Sequence, residues 1–314
     1  MPEGDTLHGL ARRIAPMIGE RVLSLNLPMS TQNTKHLIGY QVQNIQAHGK
    51  NLLVVFEKDW MLRVHLRMKG RALFRKRTSP PPLRFAPSVV LHLATSSWEL
   101  FIRDAPVVLL ARRGSFHFDE LRALGPDIVA DDFDVDLAIE RAQGWLNVPI
   151  GEALLDQRWV AGIGNVWKSE GLFELGLDPF APVGAFGQGE IRKLLLLLRE
   201  RMRANVDGIA HRRLLIPQLN GPRITRFEAQ GTKTGTLVYM RAHKPCRRCR
   251  TPILRALQGG RSTYYCPRCQ PPRRSLEDNA SSKCSSEPAV TPIGADLEIA
   301  PPEQIEPALH SQSR

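Results

Sequence analysis

Four cysteines restrict this chain more than any other feature. Cys246 and Cys249 form one C-x2-C pair, Cys266 and Cys269 form a second, and sixteen residues lie between the pairs. This is the spacing of a four-thiolate zinc site, in which each tight turn brings two sulfurs to one ion. The intervening segment can only be short, and Gly259-Gly260 near its middle marks a hairpin turn. Four thiolates complete a tetrahedron and leave no position for a substrate water, so the expected ion is one structural zinc and not a catalytic metal. Function would then come from what the stapled hairpin presents. Arg261 follows its tip, with Arg247, Arg248 and Arg255 close in sequence, a set suited to clamping phosphates. The fifth cysteine, Cys284, has no partner at such a spacing.

Charge points to the same partner. The chain of 314 residues carries a net charge of +12 and a sequence pI near 9.9. The last 40 residues hold seven acids and two bases, which leaves +17 on residues 1–274. A body this basic suits a polyanion, above all nucleic acid. No apolar run approaches a membrane span, and the first twenty residues carry Glu3 and Asp5 in place of a signal-peptide core. The expectation is a cytoplasmic protein without a membrane partner, associated with the nucleoid if the source is bacterial.

The pattern along the chain is α+β and multidomain. Residues 5–19 place Leu7, Leu10, Ala11, Ile14 and Ile18 at helical spacing, with Pro16 set to end or bend the helix. Alternating, β-branched stretches follow to about residue 122, as in an antiparallel sandwich or barrel. Residues 123–134, with Gly125-Pro126 and several acids, read as a linker. Helical patterns occupy 135–230, the cysteine hairpin 231–272, and an acidic Ser/Pro/Ala/Glu-rich tail, expected to be disordered, 273–314.

Three further motifs could carry chemistry. In "VAGIGNVWKSEGLF", Gly162 and Gly164 make a tight turn and Asn165 opens a helix, whose N–H groups offer a phosphate corner or merely join two packed helices. "AHGKNLLVVF" sets Lys50 at a hairpin tip. The start, "MPEGDT", would expose Pro2 as a free amine once Met1 is removed. An α-amine titrates near about 8, against about 10.4 for lysine, so more of it is nucleophilic at neutral pH. Such an amine can attack a sugar carbon and form an iminium, with Glu3 as general acid and base.

Together and in this order, the Pro-Glu start, the His-Gly-Lys turn, "LDQ…VAGIGN" and "RSTYYCPRCQ" resemble the formamidopyrimidine-DNA glycosylase / endonuclease VIII family, from Pro2 to about Gln270. The resemblance implies an N-terminal β-sandwich with an N-terminal helix, a helical helix-two-turn-helix domain and a C-terminal zinc-finger hairpin. It implies a monomeric, bifunctional glycosylase and AP lyase of base-excision repair, acting on double-stranded DNA with damaged bases or abasic sites. Pro2 would be the nucleophile, Glu3 the proton donor, and Lys50, Asn165 and Arg261 the phosphate contacts. "HLRMKG" makes Met68 a candidate wedge, with a core methionine as the alternative. Gly4 leans toward the endonuclease VIII branch and oxidised pyrimidines. "RDAPVVLLARR" lacks the arginine and phenylalanine of the purine-acting branch. Asp5-Thr6 replaces the family's usual Pro-Glu, removing a helper carboxylate and leaving open a catalytically silent DNA-binding relative. A zinc-ribbon accessory protein would explain the cysteines and charge but not the start.

Overall fold

The structure is a computed structural model that describes residues 2–30, 32–77, 86–211 and 236–273. All of the expected disordered tail 273–314 except Arg273, with Cys284, lies outside the described residues, as do 212–230 of the expected helical part and 231–235 of the expected cysteine hairpin.

Helix α1 (Gly4–Ile14) is followed by a 3-10 turn over Ala15–Met17, so the helix ends just short of Pro16. The ring of Pro16 has no N–H to give to the preceding turn. Eight strands then form two four-stranded antiparallel sheets. They are β1 (Val22–Asn26), β2 (Val42–His48), β3 (Asn51–Phe56), β4 (Trp60–His65), β5 (Arg71–Lys76), β6 (Val89–Thr95), β7 (Trp98–Arg103) and β8 (Val107–Arg112). The sheet orders are β1-β6-β7-β5 and β2-β3-β4-β8. Their inner faces and the apolar side of α1 share one core, which includes Leu7, Leu10, Ile14, Leu52, Val54, Leu62, Leu93 and Leu100. Strand β3 is buried on both faces. Leu52, Val54 and Phe56 point into that core, while Leu53 and Val55 join Met61, Ala111 and Phe118 in a smaller cluster on the other side.

The helical part comprises α2 (Asp119–Arg122), α3 (Val135–Arg141), α4 (Ile150–Ala153), α5 (Asn165–Leu175) and α6 (Gln188–His211). Its core gathers Trp159, Ile163, Trp167, Leu172, Leu194 and Leu198. The expected linker is firmly fastened. Asp127 is buried, its carboxylate accepts from the Gly49 N–H (2.7 Å) and the Val129 N–H (3.0 Å), and His8 Nε2 lies 2.8 Å away. One acid thus ties α1 and the β2–β3 turn to the start of the helical part. Finally β9 (Leu254–Gln258) and β10 (Arg261–Tyr265) pair antiparallel around Gly259-Gly260, both at positive φ. No helix among the described residues is long and apolar enough to cross a membrane.

Candidate active site

Helix α5 organises the site. Gly4 approaches it first: its N–H donates to the Gly162 carbonyl at 2.9 Å, and a Cβ on Gly4 would stand 2.8 Å from the Gly162 Cα. Gly162 itself has φ +102°, a conformation other residues rarely adopt. This close passage delivers Glu3 to the start of α5. Its carboxylate accepts from the Val166 N–H (2.9 Å) and the Trp167 N–H (3.3 Å) and is fully buried. A Cβ on Gly164 would lie 2.2 Å from the Glu3 Cγ and Cδ, so the glycine makes room for the acid.

The expected phosphate corner is therefore corrected in detail. The first amides of α5 that a phosphate would use are given to Glu3, because a carboxylate from the same chain is already fixed at the positive helix end. What α5 offers a ligand is the Asn165 side chain. Its amide donates to the Ser262 carbonyl at 2.8 Å, while its Oδ1 is buried without a hydrogen-bond partner. Lys50, Asn165 and Arg261 line one cavity of about 340 Å³ together with Glu152 and Asp156. Three cationic or amide groups from three distant segments thus meet, with Pro2 buried at the chain segment leading to Glu3.

Asp5 and Thr6 have specific partners. Asp5 is fully buried: one oxygen accepts from the Trp167 indole (2.9 Å) and the Asn205 amide (2.6 Å), the other from the Thr6 N–H (2.8 Å). The Thr6 hydroxyl accepts the Glu3 N–H at 3.4 Å, closing the first turn of α1. The carboxylate absent at position 6 is thus accompanied by another at position 5, turned into the protein and fastened to α5 and α6.

A second cavity, about 650 Å³, shares Lys50 with the first and is lined by Arg63, His65, Arg67, Phe116 and His117. Burial holds His65 down to about 4, with Arg63, Lys50 and Arg67 adding to it, so this imidazole is neutral at physiological pH. Its Nδ1 accepts the Arg67 N–H at 3.1 Å, which places its proton on Nε2. Met68 tops the β4–β5 turn and is 63% exposed, which excludes the core alternative.

The four sulfurs of Cys246, Cys249, Cys266 and Cys269 all lie within 4.8 Å of one another, with separations of 3.4, 3.5 and 3.9 Å for three of the pairs. Tetrahedral zinc–sulfur bonds of about 2.3 Å require edges of about 3.8 Å, so the donor set fits one structural zinc. The knuckle docks on the far end of α5. The Arg248 guanidinium donates to the Phe173 and Glu174 carbonyls at 2.9 Å each, capping the helix C-terminus. Arg248 is thus engaged with the end of α5, and Arg255 is bonded to the Ser262 hydroxyl at 2.9 Å. Of the finger arginines expected at DNA, Arg261 is the one lining the cavity.

Sequence reasoning missed Lys168 and Glu170. Both are buried charged residues on a helix whose Val166, Trp167, Leu172 and Phe173 are buried too, and a charge among them was the available signal. The Glu170 carboxylate accepts from the N–H groups of Leu237, Val238 and Tyr239 at 2.6, 3.0 and 2.8 Å, and burial pushes its carboxyl above the ordinary range.

Comparisons with known proteins bear on the family and the fold. Residues 1–107 match the formamidopyrimidine-DNA glycosylase N-terminal domain, 124–212 its H2TH domain, and 244–272 the zinc finger found in FPG and IleRS. A Streptomyces coelicolor protein named "Probable endonuclease 8 2" is 34% identical over 86% of this chain and 94% of its own. The DNA-(apurinic or apyrimidinic site) lyase Nei2 of Mycolicibacterium smegmatis is 30% identical over 86% of this chain and 99% of its own. The crystal structure of the MutM (Fpg) protein from Thermus thermophilus superposes with a TM-score of 0.67 at 27% identity, covering 86% of this chain and 98% of that one. The chain belongs to the formamidopyrimidine-DNA glycosylase / endonuclease VIII family of DNA glycosylases and AP lyases, with one structural zinc in its finger.

Proposed function

We propose that this protein excises oxidised bases, chiefly pyrimidines, through a Schiff base on Pro2, and then cuts the strand by β,δ-elimination. The reading of the enzyme as a glycosylase and AP lyase of base-excision repair follows from its family. The finer mechanism rests on one observation above all: the segment bearing Pro2 and Glu3 is fastened to the same helix end that contributes Asn165 to the Lys50–Arg261 cavity.

With Met1 removed, the Pro2 nitrogen attacks C1′ of the damaged nucleotide. The new N–C1′ bond forms as the C1′–base bond breaks, and the base leaves with its electron pair and a proton. Glu3, a carboxylate held by the α5 amides, takes the proton released by the Pro2 amine and passes it to the ring oxygen as the sugar opens, giving the iminium, while solvent supplies the proton that leaves with the base. Loss of a C2′ proton then expels the 3′-phosphate, and a further elimination expels the 5′-phosphate. The damaged nucleotide must leave the base stack for this chemistry. Lys50, Asn165 and Arg261 grip the phosphates beside it, and the exposed Met68 fills the vacated space. The preference for pyrimidines is supported by Gly4, by the absence of the purine branch's Arg-Phe pair, and by relatives named endonuclease 8 and Nei2. Fpg of Lactococcus lactis has been crystallised with abasic-site DNA, at a TM-score of 0.68 and 22% identity, in the fold adopted here.

The test is borohydride trapping on an abasic-site duplex, after mass spectrometry has confirmed loss of Met1. A covalent adduct is expected from the processed protein and none from a form extended by one residue before Pro2. Absence of an adduct from processed, zinc-loaded protein that still binds the duplex would select the catalytically silent reading that Thr6 motivates.

A further inference from the structure

Lys168 has no solvent exposure, although burying an ammonium is costly and an apolar side chain would suit this helix. It follows Asn165 by one turn of α5. Its Nζ donates to the Thr263 hydroxyl at 2.7 Å. Thr263, also buried, donates to Gln258 Oε1 at 2.8 Å, and the Gln258 amide donates to the Pro179 carbonyl at 2.8 Å. Asn165 holds the Ser262 carbonyl. Two side chains of α5 thus grip consecutive residues of β10, and the residue just before them is Arg261. The charged groups around Lys168 come from each neighbouring element: Glu3 ahead of α1, Glu152 on α4 and Arg261 on β10. Lys50 and Asp156 complete the charged lining of the adjoining cavity.

We propose that Lys168 is a positioning residue: its ammonium pins β10 to α5 and balances Glu3 and Glu152, which leaves Arg261 directed at DNA phosphate instead of at those carboxylates. The proposal rests on the reading of Arg261 as a phosphate contact. Removing the charge weakens the tie to Thr263 and takes away the ammonium that faces Glu3 and Glu152, with Arg261 close by to take its place. The switch falls within reach of ordinary buffers. Burial brings the Lys168 amine down to about 8, opposed by Glu3 and Glu152 and assisted by Arg261.

The experiment measures binding of the zinc-loaded full chain to a duplex bearing an unreactive tetrahydrofuran abasic analogue, from about pH 7 to about pH 9.5. Wild type is expected to lose affinity about tenfold or more as pH rises through the lysine's range, the worth of one charge-assisted contact. Lys168→Arg, which cannot deprotonate, should bind like wild type at the lower pH and stay level. Lys168→Met should be weak and level throughout, and Arg261→Ala should add little to it. Full affinity in Lys168→Met, a retained alkaline limb in Lys168→Arg, or losses that multiply in the double variant would each overturn the proposal. If Lys168→Met fails to fold or to hold zinc, the Lys168→Arg profile decides alone. An unchanged Arg261→Ala defeats the phosphate reading of Arg261 and this proposal with it. A weakened Arg261→Ala beside an unaltered Lys168→Met defeats this proposal only.

Discussion

Asp5 illustrates how one residue can be conspicuous in a sequence for a reason that lies elsewhere. With Thr6 it departs from the start that the family resemblance implies, and the departure reads as a loss of catalytic equipment. In the folded protein it is a buried acceptor for the Trp167 indole and the Asn205 amide, 162 and 200 residues away in sequence. Neither partner could be inferred from a local pattern. Truncating Asp5 to alanine strands both donors without water, and each stranded donor costs about 1–3 kcal/mol. Asp5→Ala should therefore lose about 2–6 kcal/mol of stability, read as a lower urea midpoint at unchanged slope. Asp5→Asn, which keeps one acceptor oxygen, should lose less. Lys50, by contrast, was placed correctly at its hairpin tip because His-Gly-Lys between two alternating strands is a purely local signal.

Among elements, α5 concentrates the most function in the fewest residues. Its N-terminus takes the Glu3 carboxylate, its C-terminus takes the Arg248 guanidinium, and its first residue bonds β10. Both ends of the helix dipole are thereby matched with charge of the favourable sign. Gly164 is the pivot of this arrangement because the Glu3 side chain occupies the space a Cβ would need. Gly164→Ala should displace the carboxylate while leaving the cavity lining of Lys50, Asn165 and Arg261 in place. The expected outcome is a loss of about 100-fold in single-turnover base excision, typical of an ångström-scale misplacement of a catalytic group, with affinity for abasic-analogue DNA nearly unchanged. Equal losses in both would show that the glycine serves packing alone.

Across the whole molecule, the zinc finger is the least self-sufficient part. Its apolar cluster is small, built from Phe173, Leu237, Val238, Ile253 and the cysteines, one of these residues being borrowed from α5. So little apolar burial cannot order a knuckle and hairpin, and metal–thiolate bonds must supply the difference. Mild chelation should release one zinc per chain and abolish binding to abasic-analogue DNA, because Arg261 and the Arg248 cap leave together. The far-UV signal of the sandwich should persist, since its core contains no finger residue. Retained DNA binding in the chelated protein would contradict a clamp that depends on the finger.

Alternation announced the strands, 3.6-residue spacing announced α1, and paired cysteines announced the metal. Each is a short-range pattern that steric and coordination rules make legible without a fold. The motifs, and the family they resemble, named Pro2, Glu3, Lys50, Asn165 and Arg261 without saying how their segments come together. Their assembly depends on contacts between segments far apart in the chain, such as Glu3 with Val166 and Lys168 with Thr263 at separations of 163 and 95. A carboxylate or an ammonium carries no mark of its distant partner in the linear chain. Chain closure in three dimensions gives each such charge its counterpart, because a charge withdrawn from water persists only where one is waiting.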